Sequence, residues 1–281
     1  MNFLFITPSH VSARINGADM YDQLLCEELQ RRGHNAVIIA QMTATDNMNG
    51  VSIRPYSESG KLIKWADVIS CRPQQYLRLP LKGKNVVCIQ HNTIPELRLK
   101  GVKMVYVAEH LRRSIAYDLP NMVLHPINRY KGANPLTGGN KIALVNCNKN
   151  KGGSELIQLA AMMPEQQFVG VSGYGTQIKG DRLNIEYRQP SLNLPEVLQG
   201  VGMVVSFSKS EGYPMLCMEV QSLGLPFIGS KIAGHIEVGC SNYFNTLGDL
   251  CTMIKAGLSI WPLNHDRPEP DIEGFINFCN S

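Results

Sequence analysis

Val204-Val205-Ser206-Phe207-Ser208-Lys209-Ser210-Glu211-Gly212-Tyr213-Pro214-Met215-Leu216-Cys217-Met218-Glu219 reads as a strand, a loop and the start of a helix, in that order. Val204 to Phe207 is short, apolar and β-branched, Ser208 to Gly212 is polar, and Pro214 to Leu223 has proline in its first turn with Gly224 just past its end. The two carboxylates matter most. Continuous helix would set Glu211 and Glu219 roughly 80° apart around the axis, but Glu211 precedes the helix, so the loop aims it independently. Glu219 sits among Leu216, Cys217, Met218 and Val220, where a carboxylate is costly to bury unless hydroxyl or amide donors satisfy it. A ribose diol supplies such donors, and the amides at the helix start favour a phosphate. The alternative is that Glu211 caps the helix and Glu219 pairs with a basic side chain.

Outward from this stretch, strand and helix alternate twice over. Phe3 to Thr7, Ala36 to Ala40, Val68 to Cys71, Val86 to Gln90, Met104 to Val107 and Met122 to Leu124 are strand candidates. Gly17 to Arg32 and Glu109 to Tyr117 are helix candidates. Residues 131–140 turn polar and rich in glycine and proline, and then the rhythm restarts. Strands are expected at Lys141 to Val145, Gln167 to Val171, Met203 to Phe207 and Phe227 to Gly229, with helices at Gly153 to Met163 and Leu194 to Gln199. After an irregular stretch from Trp261, broken by Pro262, Pro268 and Pro270, comes a last helix at Ile272 to Phe278. The expectation is an α/β chain of two Rossmann-like, doubly wound domains, 1–130 and 141–281, joined by a linker at 131–140, with the final helix able to pack back on the first domain. Ligands of such sheets bind in the cleft at the carboxyl ends of the strands.

The chain has 281 residues, 44% of them hydrophobic and 18% charged, with a formal charge of +4. That composition suits a globular protein, and no apolar run is long enough to span a bilayer. The start resembles a strand rather than a signal peptide, and the eight cysteines are scattered without a C-x-x-C pair. Both features suggest a cytoplasmic protein with reduced core thiols rather than a disulfide framework or zinc site.

Two further loops address anions. Asn146-Cys147-Asn148-Lys149-Asn150-Lys151-Gly152-Gly153 follows a strand and opens a helix, with two ammonium groups and glycine-permitted backbone approach. A diphosphate fits there, although the motif is not a P-loop. A solvated turn is the plainer reading of that loop alone. Gly229 to Glu237 is another loop entering a helix, with Glu237 expected in its first turn. In the first half, Pro8 to Ala18 lacks the dinucleotide fingerprint, and His91 follows directly on a strand.

In order, these pieces resemble the retaining GT-B glycosyltransferases of the glycogen-synthase-like superfamily. The resemblance rests on Gly17-Ala18-Asp19-Met20, Leu29 to His34, Val107-Ala108-Glu109-His110, His125-Pro126, Lys151-Gly152-Gly153, Gly173-Tyr174-Gly175, Ser208 to Pro214, Glu219 and Gly224-Leu225-Pro226. It implies transfer of a sugar, as by a hexosyltransferase, from a nucleoside-diphosphate sugar, a UDP-sugar first among them, to a hydroxyl of a glycan, lipid-linked or small-molecule acceptor. Glu219 would bind the ribose hydroxyls and Glu211 the transferred sugar. The Gly212-Tyr213 turn would lead to the Met215 and Leu216 amides that face the diphosphate. Lys151, with Asn148 and Lys149, would stabilise the departing phosphates, Gly17 would close on them, and His91 would lie beside the anomeric carbon. Retention would follow front-face attack, a donor phosphate oxygen assisting deprotonation of the acceptor. No metal and no cofactor beyond the nucleotide-sugar co-substrate are implied, and no D-x-D pair occurs. The family commonly has an arginine a few residues before the motif lysine, where this chain has Asn146, Asn148 and Lys149.

Two other readings keep the fold. One makes the acceptor a nucleic acid, such as hydroxymethylated bases of viral DNA, with Arg72, Arg78, Lys82, Lys84, Arg98, Lys100, Lys103, Arg112 and Arg113 lining an acceptor face. The other is a non-catalytic sugar-nucleotide-binding protein.

Overall fold

The computed structural model describes residues 1–92, 99–115, 118–257 and 267–281. Arg98, the expected helix end at Tyr117 and the Trp261-Pro262 stretch lie outside them. The chain divides into two units, Met1–Ile127 with Pro268–Ser281, and Asn128–Arg267. The expected linker, 131–140, falls within the second unit.

In the first unit the order is β1 (Asn2–Ser9), α1 (Gly17–Arg31), β2 (Asn35–Met42), β3 (Asn47–Met48), β4 (Val51–Pro55), α2 (Ser59–Trp65), β5 (Val68–Cys71), α3 (Pro73–Tyr76), β6 (Val86–Gln90), β7 (Lys103–Tyr106), α4 (Glu109–Ser114) and β8 (Asn121–Val123). Its sheet runs β3-β4-β2-β1-β5-β6-β7-β8, parallel except for the β3–β4 pair. β5 and β6 are buried at every position, as strands covered on both faces must be. The strand order reverses between β1 and β5, so the segments leaving those two strands diverge at their carboxyl ends.

The second unit follows with β9 (Lys141–Val145), α5 (Gly153–Met162), β10 (Phe168–Val171), β11 (Ile185–Arg188), α6 (Leu194–Val197), β12 (Val201–Ser206), α7 (Met215–Ser222), β13 (Phe227–Ser230), α8 (Ala233–Val238), β14 (Asn242–Phe244) and α9 (Leu247–Lys255). Its sheet, β11-β10-β9-β12-β13-β14, is parallel throughout, and its strand order has the 3-2-1-4-5-6 pattern of a dinucleotide-binding fold. Val204 lies beside Ala143 and Val205 beside Leu144, which puts the reversal between β9 and β12. Residues 128–136 are bound along α7 by Asn128 Nδ2 to Ser222 Oγ (2.6 Å) and by the Leu136 amide to the Leu223 carbonyl (2.8 Å). Those bonds are why the segment behaves as part of the unit and not as a free linker.

The last helix, α10 (Ile272–Asn280), belongs to the first unit. Its Phe275 is fully buried and stacks on Phe3 of β1 with centroids 6.2 Å apart. Lys103 Nζ donates to the Phe278 and Cys279 carbonyls (2.9 and 3.0 Å) and Asn85 Nδ2 to that of Cys279 (2.8 Å), which satisfies the open helix end. All eight cysteines are buried and free of disulfides. Among the described residues no helix is long and apolar enough to cross a membrane. Phe275→Ala is expected to destabilise the first unit by about 3–5 kcal/mol; urea unfolding followed by the near-ultraviolet signal checks it.

Candidate functional site

Because β9 and β12 are neighbours, the turns that follow them emerge side by side. The β9–α5 turn is organised by Asn148, whose Oδ1 accepts from the Asn150 and Lys151 amides (both 2.9 Å) and whose Nδ2 donates to the Tyr174 carbonyl (3.0 Å). The turn ends at Gly152, with φ of 101°, where a Cβ would run into the Phe207 side chain. Only glycine meets both conditions without strain. Lys151 Nζ then reaches Glu211 Oε1 in a close ion pair, with the two side chains 21% and 18% exposed. Such a partly exposed pair is neither fully screened by water nor fully desolvated. Glu211 is held from behind as well. Gly234 of α8 approaches so closely that a Cβ there would stand 2.9 Å from Glu211 Cβ.

Gly212, Tyr213 and Met215 are buried and Leu216 is half-buried. Burial pushes the Tyr213 phenol up to about 12. Pro214 is the N-cap of α7 and its side chain makes no cap hydrogen bond, and the Met215 and Leu216 amides sit at the positive end of the helix. Lys149 is exposed, in the turn between β9 and α5. Glu237 lies in the second turn of α8, not the first, because that helix begins at Ala233. His235 is fully buried there, its Nδ1 on the Ser230 carbonyl (2.7 Å) and its Nε2 without a partner, and burial lowers its pKa.

Glu219 does have a basic partner. Arg129 Nε donates to Oε1 (2.7 Å) and Nη2 to Oε2 (3.2 Å), while Nη1 donates to the Leu192 carbonyl (2.7 Å). Burial raises the Glu219 pKa and Arg129 opposes that shift. The sequence reading left a basic partner open as an alternative without naming it. No local signal named Arg129, whose guanidinium also lies 4.8 Å over the ring of its neighbour Tyr130.

In the first unit, Gly17 opens α1 behind Asn16, whose side chain accepts from the Asp19 amide (3.0 Å), and Gly17 is exposed. His91 follows β6. Its ring meets Tyr21 edge-on at 5.1 Å, its Nε2 is buried without a partner, and burial, then Arg72, hold its pKa well below the usual histidine range. Arg72, just after β5, ties Asp19 and Asp22 together, and Asp19 also accepts from Ser9 and from Asn16 Nδ2 (2.6 Å). This buried cluster was not anticipated, because its members come from β1, α1 and the end of β5. Of the anticipated basic face, Arg72 is inside the cluster, Lys103 serves α10, and Arg112 and Arg113 both pair with Glu109 (2.6 and 2.8 Å). Lys151 and Glu211 meet directly, with Gly212, Tyr213, Met215, Leu216 and Glu219 on the same loop and helix; Asn148 is spent on its own turn. Among the described residues no group of three or more His, Cys, Asp or Glu converges as a metal site.

No family model and no curated protein matches the sequence. Solved structures match its fold. HepE of Anabaena, in complex with UDP and glucose, has a TM-score of 0.73 at 12% identity over 92% of this chain and 90% of that one. The fold is GT-B. A glycosyltransferase from Rickettsia africae has a TM-score of 0.70 at 15% identity, covering 99% and 93%. Sucrose-phosphate synthase from Thermosynechococcus elongatus has 0.69 at 12%, covering 92% and 90%. At such identities the GT-B likeness speaks for the two Rossmann-like sheets, not for the roles of individual residues.

Gly152→Ala is expected to lower the thermal stability of the second unit by about 2 kcal/mol or more, since it adds both backbone strain and overlap with Phe207. Burial, against the pull of Arg72, pushes Asp22 from 3.8 up to about 7. A carboxyl with a raised folded pKa binds its proton more tightly folded than unfolded, so it costs stability progressively as pH rises from about 4 to about 7. The unfolding free energy of Asp22→Asn relative to the parent should therefore increase between pH 5 and pH 8, as urea titrations at the two pH values would show.

Proposed function

We propose that the chain is a retaining glycosyltransferase that moves a sugar from a nucleoside-diphosphate sugar, a UDP-sugar, to a hydroxyl of a glycan, lipid-linked or small-molecule acceptor. The observation that carries the reading is the meeting of Lys151 and Glu211 at the strand-order reversal of the second sheet, beside the start of α7. An open α/β sheet takes its ligand at that point. A cation and helix amides there suit a diphosphate, and a carboxylate beside them suits sugar hydroxyls. HepE is solved with UDP-glucose as well as with UDP and glucose, which supports the donor class.

In the proposed reaction the bond from the anomeric carbon to the phosphate oxygen breaks, and the acceptor oxygen bonds to the same face of that carbon. The acceptor proton passes to the departing phosphate. Lys151 and the Met215 and Leu216 amides stabilise the charge that grows on the diphosphate, in place of a divalent cation, with Lys149 adding exposed positive charge at the turn. Glu211 orients the sugar, the Gly212-Tyr213 turn sets the helix start, and Glu219 receives the ribose. Asn148 acts by shaping the lysine's turn. Gly17 is proposed at the phosphates and neutral His91 at the transferred sugar. A DNA acceptor has less support, since Arg72 and Lys103 of the anticipated face are engaged inside their own unit. The proposed compartment is the reducing cytoplasm, where buried thiols stay free of disulfides.

The test is release of nucleoside diphosphate from UDP-, GDP- and ADP-sugars, alone and with acceptor mixtures. Lys151→Ala should lower turnover about a hundredfold or more. His91→Ala should reduce kcat more than donor affinity. Full activity in a Glu211→Ala, Glu219→Ala double variant, or no release from any donor, would sink the proposal.

A further inference from the structure

We propose that Arg129 fixes the charge and orientation of Glu219 and so makes the site select a ribose over a deoxyribose nucleotide, an inference that rests on the nucleotide-sugar reading above. The guanidinium is held on every side. Its Nε and Nη2 form a parallel fork on the two Glu219 oxygens, its Nη1 is on the Leu192 carbonyl, and its face lies on the Tyr130 ring. Tyr130 is itself fixed, its hydroxyl accepting from the Leu194 amide (3.1 Å), and Asn128 anchors the same segment to Ser222. The two charged side chains are 20% and 6% exposed, so this is no loose surface pair.

Each carboxylate oxygen has two lone pairs, and the fork uses one on each. One acceptor site per oxygen remains, side by side, which matches two vicinal hydroxyls of a ribose. Without the arginine, burial would favour the protonated acid, whose O–H is a donor, and one of the two hydroxyls would lose its acceptor. Lysine would keep the charge but not the fork. Arg129 acts through Glu219 and is a positioning residue. Its signature is a loss confined to the diol, whereas a residue with only a structural role would weaken every nucleotide equally.

The experiment is calorimetric binding to the full chain of UDP, GDP and ADP, followed by comparison of the tightest with its 2′,3′-dideoxy counterpart. The parent protein should prefer the ribose form by roughly a hundredfold or more, as charge-assisted bonds to two hydroxyls require. In Arg129→Lys that preference should fall to about threefold or less while the dideoxy form binds as before. Arg129→Gln should behave likewise and melt at a lower temperature; if it fails to fold, the lysine variant decides. An unchanged preference in Arg129→Lys, or an equal loss for both nucleotides, would overturn the inference while leaving the proposed function standing. Failure of the parent to bind any of the three would overturn the nucleotide-sugar reading itself. Binding by the parent without preference for the ribose form would remove Glu219 from the ribose and this inference with it.

Discussion

The close approach of Gly152 to Phe207 is the constraint on which the second unit's chemistry depends. A side chain at position 152 would push the turn after β9 away from the end of β12. With glycine there, the Asn148 side chain can fold the turn back on itself, and Lys151 is delivered to Glu211. The sheet supplies the adjacency and the glycine supplies the last few ångströms. Gly234 does the equivalent service on the other side, letting α8 back the Glu211 loop.

Most of the fold was legible because its central strands are buried on both faces and therefore spell continuous apolar runs. Val68–Cys71, Val86–Gln90 and Lys141–Val145 were bounded correctly from sequence for that reason. What escaped lies at the sheet margins. Ile185-Glu186-Tyr187-Arg188 and Asn242-Tyr243-Phe244 are outermost strands, where one side meets water and a short mixed text gives little periodicity to detect. α9 did carry a signal, the Thr246–Asp249 capping box, which was not used. The site divides in the same way. Glu219 announces itself as a charge out of place in apolar text, whereas Lys151 and Glu211 stand out only by their place in loops between strand and helix. Arg129 announces nothing locally, since its partner lies 90 positions on.

The first unit shows the opposite economy. Its buried charges are not aimed outward; Arg72 draws Asp19 and Asp22 into one cluster at the ends of β1 and β5, braced by Ser9 and Asn16. Removing one partner of such a group leaves a buried charge uncompensated, which is why these residues constrain the unit more than their surface counterparts do. Beside them, burial and the nearby guanidinium hold the His91 pKa well below the usual histidine range, and among the described residues its Nε2 has no hydrogen-bond partner.

The placement of α10 has a consequence for how the protein is made. Phe3 is translated before the whole of the second unit and Phe275, against which it stacks, after it. The second unit is thus an insertion within the first, and its residues are all translated before the first unit's core can close. Nascent-chain folding here runs against the usual amino-terminal-first order: the inner unit can complete itself, while the outer one keeps the Phe3 face of β1 uncovered until α10 has been made.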